Sequence, residues 1–124
     1  MKIRLFNFGW LLIAMSMAIS CTSSSKYLER GDYDKAISKS VKTLMKKPDK
    51  NDEIRTLKKA FSLANKRDLD RIRQLKLSGQ PDIFDNLVDN YSRLISRQDL
   101  VERLPNEVLS KIHFKHIDYN SDIV

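Results

Sequence analysis

Ala36, Ile37, Val41, Leu44 and Met45 recur at spacings of three and four, which on a helix of 3.6 residues per turn gathers them on one face and leaves lysines on the other. The pattern predicts a helix to about Lys47, stopped by Pro48, whose ring removes an N–H and clashes with the preceding turn. Upstream, Tyr27 to Arg30 reads as the end of a short helix, Gly31 as its turn and Asp32 as the cap of the next. Ile54, Leu57, Ala60, Phe61 and Ala64 predict a third helix from Asn51 or Asp52, with a break over Asn65 to Asp68. A shorter helix then starts at Asp68, turns Leu69, Ile72 and Leu75 inward and stops at Ser78-Gly79-Gln80-Pro81. From near Pro81 the stripe Ile83, Phe84, Leu87, Val88, Tyr91, Leu94 and Ile95 predicts a long helix, with Asp82 and Asp85 favouring its positive end. Leu100, Val101 and Leu104 continue the pattern to Pro105. Residues 112–119 alternate, which predicts a strand or an extended segment lying on the helices.

Three Gly and three Pro in 124 residues suit helices far better than a many-turned β-sandwich, so the expected fold is all-α, a short array of antiparallel helices. The division that follows is a targeting segment at 1–20, a polar tether at 21–25, a helical domain at 26–105 and a C-terminal extension at 106–124. Removing residues 1–20 leaves 104, enough for one modest core but not for the deep pocket most cofactor enzymes need.

The targeting segment rests on Lys2 and Arg4 followed by an apolar run from Leu5 to Ile19. That run is interrupted by Asn7, Gly9 and Ser16 and falls short of the roughly 20 apolar residues a spanning helix needs, which favours a cleaved signal over a permanent span. It ends in Ala18-Ile19-Ser20-Cys21, with Thr22-Ser23-Ser24-Ser25 after it, and Cys21 is the single cysteine of the chain, so no internal disulfide can form. Residues 1–25 thus resemble a bacterial lipoprotein signal, with Ala18 where the lipobox usually has Leu. The resemblance implies cleavage between Ser20 and Cys21, acylation of Cys21 on its sulfur and amine, and attachment to a membrane through that lipid. Thr22 in place of Asp after the cysteine implies the outer membrane under enterobacterial sorting rules. The alternative is an ordinary secretory signal, since Ser16 with Ala18, or Ala18 with Ser20, satisfies the small-x-small rule.

Gly31, Tyr33, Ala36 and Pro48 match in type and spacing the Gly-x-Tyr-x-x-Ala turn and closing Pro of a tetratricopeptide repeat, which this stretch resembles. In such a repeat Gly supplies the turn, Ala lets two helices approach and Pro ends the second helix. Here the first helix is cut short, because the positions of the repeat's early Trp and Leu-Gly fall in the signal or tether. Further on, Arg71-Ile72, Gly79-x-Pro81, Phe84-Asp85, Tyr91, Leu94, Arg97-Gln98, Val101 and Leu104-Pro105 resemble helical-repeat lipoproteins of Bacteroidetes, which implies a cell-envelope address and a helical body but no particular activity.

The charge is lopsided. Residues 26–76 hold 16 Lys or Arg against 8 Asp or Glu, a balance of +8, whereas residues 77–124 hold 5 against 8, a balance of −3. The basic half, with Lys39, Lys42, Lys46, Lys47, Lys50, Lys58 and Lys59, is either an ordinary solvated helix surface or a face that meets anionic lipid near the anchor. Nucleic acid is not expected as a partner, since no finger, helix-turn-helix or aromatic sheet motif accompanies the charge. His113, His116 and Asp118 do not complete a metal-ligand set, and no metal or other cofactor is expected. Tyr27, Tyr33, Phe61, Phe84 and Tyr91 read as core aromatics, with a peptide-binding groove as the alternative. No phosphate loop, serine elbow or Cys–His pair is present, so no residue is assigned a catalytic role. The functional expectation is a membrane-anchored protein-interaction or structural module with a protein partner, the alternative being an envelope enzyme or accessory subunit without a recognisable motif.

Overall fold

The computed structural model describes residues 22–123, and the targeting segment with its cleavage and attachment residues, Ser20 and Cys21, lies outside them. The body is all-helical: α1 (Ser24–Glu29), α2 (Tyr33–Lys46), α3 (Asn51–Leu77), α4 (Phe84–Glu102) and α5 (Asn106–Lys111), followed by a 3₁₀ turn at Asn120–Asp122. None of the described helices is long and apolar enough to cross a membrane.

Each boundary has a local cause. Ser23 caps α1 by accepting the Lys26 N–H at 3.3 Å. At the other end Gly31 takes φ +79°, and the N–H groups of Gly31 and Asp32 reach back to the carbonyls of Leu28 and Tyr27, closing a Schellman turn. Asp32 stands at the start of α2, but its side chain makes no capping bond. Pro48 follows directly on the last residues of α2. The end of α5 repeats the Schellman pattern with His113 at φ 55°, its N–H bonding the Ser110 carbonyl and that of Phe114 the Leu109 carbonyl.

Helices α2 and α3 run antiparallel, as Ser40 meets Glu53 in the first turn of α3 while Asp34 meets Arg67 well along it. Helices α3 and α4 are antiparallel as well, with Lys76 bonding Tyr91 and Asn65 bonding Arg97. Glu53 ties three helices together: one carboxylate oxygen accepts from Ser24 at 2.7 Å and from Ser40 at 2.9 Å. Two apolar clusters result. The larger joins Ala36, Ile37, Val41 and Leu44 of α2 to Ile54, Leu57, Ala60 and Ala64 of α3, Val101 of α4 and Val108 of α5. The smaller joins Ile72, Tyr91, Leu94 and Tyr119.

Several expectations are corrected. The break at Asn65 to Asp68 does not exist, and α3 continues for 27 residues, because the Asn65 and Asp68 side chains bond sideways to α4 instead of capping a helix end. The helix expected from near Pro81 starts at Phe84, leaving Pro81 and Asp82 in the turn. Met45, Leu69 and Phe84, placed on inward stripes, are exposed, Phe84 to 63%. No strand forms among the described residues. The segment after α5 finds its partner in a side chain: the Gln98 amide donates to the Ile117 carbonyl at 3.0 Å and accepts the Ile117 N–H at 2.8 Å. One amide thus supplies the donor and acceptor that a neighbouring strand otherwise would.

Candidate functional site

Lys35, Lys39, Lys42 and Lys46 follow one another at spacings of four, three and four, so they share a face of α2, and the turn after it adds Lys47 and Lys50. With Tyr27 of α1 these residues line an open groove of about 660 Å³. The Lys35 ammonium lies 5.8 Å from the centre of the Tyr27 ring, close enough for a cation–π contact. Lys39 donates to the carbonyl of Thr22, one residue after Cys21, so the chain enters the body beside this groove. Among the described residues none of these six lysines pairs with a carboxylate. Asp34, the acidic residue of the lining, is engaged by Arg97 and Arg67. A row of unneutralised cations along a concave surface concentrates positive potential there.

On the flank of α2 toward α4, Lys42 and Lys46 also edge a cleft of about 460 Å³ lined by Val41, Met45, Leu100 and Arg103. Met45 is 54% exposed on its surface. Arg103 likewise has no carboxylate partner among the described residues.

Between the two apolar clusters lies a second charged group of the opposite character. The Arg97 side chain, 2% exposed, donates from Nε to Asp34 at 2.8 Å, from Nη1 to Asn65 at 2.7 Å and from Nη2 to Asp68 at 2.7 Å. Arg93 adds bonds to Asp68 at 3.3 Å and to Asn90 at 2.6 Å, and Arg67 lies over the Tyr33 ring at 5.2 Å. Burial pulls the Arg97 pKa down, but its hydrogen bonds to Asp34 and Asp68 and their negative charge outweigh it and hold the guanidinium above its ordinary value. Among the described residues no buried side-chain polar atom lacks a partner. All three guanidinium nitrogens of Arg97 are thereby occupied, which makes this group a structural clamp rather than a site with a vacant valence.

Of the lysines read from the sequence, Lys39, Lys42, Lys46, Lys47 and Lys50 come together in the groove, whereas Lys58 and Lys59 lie exposed on α3 and do not line it. The sequence reading missed Lys35, Arg103 and the Arg97 clamp. Arg97 was detectable in principle as a cation set among Leu94, Gln98 and Val101, on the inward face of α4. The five aromatics do not share one groove: Tyr27 edges the basic groove, Tyr33 sits under Arg67, Phe61 packs on Phe114, Tyr91 packs on Tyr119 and Phe84 faces solvent. His113 is exposed, His116 lies 3.3 Å from Glu102, and Asp118 accepts the Asn120 N–H. Among the described residues no group of three or more His, Cys, Asp or Glu could hold a metal ion. Gly31 forms the α1–α2 turn, Tyr33 begins α2, Ala36 is fully buried and Pro48 follows α2.

No protein-family model matches this chain, and no curated protein or solved structure matches it either.

Proposed function

We propose that this chain is a lipid-anchored protein of the bacterial cell envelope whose helical body serves as a protein-interaction or structural module. The observation that carries the reading is the junction at the start of the body. Ser23 caps the first helix and Lys39 holds the Thr22 carbonyl, so a lipid on Cys21 would set the body directly against the membrane surface, with almost no free tether. Two or three acyl chains, at about 0.8 kcal/mol per buried methylene, anchor far more firmly than one myristoyl group. The body is a tetratricopeptide-like array with an abbreviated first helix. In favour of this are the glycine turn at Gly31, the fully buried Ala36 and the Pro48 stop. The 27-residue α3 departs from the short paired helices of such repeats and marks the body as a divergent form.

The test is intact mass spectrometry of the protein purified from membranes of its host, beside a Cys21→Ala form. A mature mass beginning at Cys21 with acyl groups, lost on substitution, is expected; an unacylated mature chain in the soluble fraction overturns the anchor. Crosslinking in intact envelopes followed by purification is expected to recover one reproducible partner, and a monomer without partners would overturn the interaction role.

A further inference from the structure

We infer that the outward face of α2 rests on an anionic bilayer surface, the lipid phosphates meeting Lys42, Lys46 and Arg103 and the acyl boundary meeting the cleft floored by Val41, Met45 and Leu100. The occupant is argued from charge and position. The cleft has an apolar floor and a rim of three cations, none paired with a carboxylate among the described residues. An amphipathic surface of this kind, basic at the edge and apolar within, is what a helix lying in an anionic interface presents. Lysines can hold their ammonium groups at the phosphates while their stems lie along the apolar layer. Met45 is 54% exposed on a helix whose other aliphatic residues are buried, and an interface would cover it.

Position supplies the second argument, and it rests on the anchored reading for placing a membrane beside Cys21. Lys39, on the same helix as the rim lysines, bonds the Thr22 carbonyl, so the chain enters the body beside the lysines of α2. From Glu53, which bonds Ser24 beside the chain entry, to Leu77, α3 runs about 36 Å at 1.5 Å per residue. Its far end, with Leu77 80% exposed, is thereby carried away from the chain entry.

The test uses the mature protein as the host makes it, first weighed intact to record whether Cys21 is acylated. Met45→Cys and Leu77→Cys forms, each carrying an environment-sensitive fluorophore, are placed with vesicles of phosphatidylcholine alone or with phosphatidylglycerol, by reconstitution if acylated and by flotation if not. The expected result is a blue-shifted, lipid-quenchable signal at Met45→Cys only with phosphatidylglycerol, reduced by high salt, and none at Leu77→Cys. Lys42→Gln with Lys46→Gln should abolish the shift while leaving the unfolding midpoint unchanged, and for an unacylated chain should weaken vesicle binding by roughly fivefold per cation removed. An acylated protein whose Met45→Cys probe stays in water on anionic vesicles overturns the inference and leaves the anchor standing. An unacylated protein overturns the anchor, and flotation then decides the surface by itself: salt-sensitive binding supports it and absence of binding overturns it. A probe shielded in native membranes but not in pure lipid identifies an acidic protein as the occupant instead and likewise overturns the lipid surface.

Discussion

The two cationic regions of this molecule are built from similar side chains and do opposite things. Around Arg97 every guanidinium nitrogen has an acceptor and the side chain is buried, whereas the α2 lysines keep to the surface with no carboxylate partner among the described residues. The difference lies in where the acids stand. Asp68 is buried and Asp34 stands half exposed at the groove edge, where Arg97's planar fork takes both, so the acid of the groove lining is already engaged. Charge is used inside to fix the register of three helices and left unspent outside, where it remains open to a ligand.

The strongest way to break the comparison is Arg97→Met. It leaves Asp68 buried with only the longer contact to Arg93, and loss of one partner of a buried ionic group costs about 3–5 kcal/mol. Denaturant unfolding should show that loss, and a change below about 1 kcal/mol would mean that the clamp is not coupled to folding. Arg97→Lys should fall in between, because an ammonium cannot reproduce the three-way fork.

Gln98→Ala comes next. It strips the Ile117 N–H of its acceptor and leaves the Ile117 carbonyl only the Tyr119 N–H, at a cost of about 1–3 kcal/mol, and should speed hydrogen exchange at the Ile117 amide. Unchanged exchange would show that the final segment does not depend on Gln98.

The two Schellman turns allow a gain as well as a loss. Gly31 and His113 occupy equivalent positions, but the left-handed conformation is strained for histidine, so His113→Gly should stabilise by about 0.5–1 kcal/mol and Gly31→Ala should destabilise by about 1 kcal/mol. Thermal melts of both variants measure the pair, and matching signs would refute the assignment.

Lys42→Gln and Lys46→Gln sharpen the contrast from the other side. With no partner to lose, each should alter stability by no more than about 0.5 kcal/mol, although Arg97→Met alters the charge by the same single unit. The smallest effect is confined to alkali. Burial raises the Tyr119 pKa above the ordinary tyrosine value. The folded state therefore favours the protonated phenol, so its contribution is complete below about pH 10 and declines as pH rises through the folded value. Phenolate absorbance should show an ionisation step above the ordinary tyrosine value, and Tyr119→Phe should remove that step.

Much of this body is legible along the chain. The stripes on α2 and on the first half of α3, the Gly31 turn and the Pro48 stop all follow from spacing and backbone chemistry, which act within a few residues. The groove lysines are legible for the same reason, since spacings of three and four gather them on one helix face. What escaped notice depends on groups far apart in sequence. Arg97 meets Asp34 across 63 positions and Asn65 across 32, and the helix-breaking character of Asn65 and Asp68 vanishes once α4 supplies their hydrogen bonds.

The final segment teaches the same point. Its alternation has the form of a strand, but with no strand beside it the backbone groups of Ile117 are satisfied by the Gln98 side chain, and the ladder never begins. Periodicity, glycine and proline placement and the sign of local charge were therefore determined by the sequence itself, because each is a property of neighbouring residues. Which cations are neutralised, whether α3 is one helix or two, and what covers the last segment were decided only by the tertiary structure, because each depends on a partner brought from a distant part of the chain.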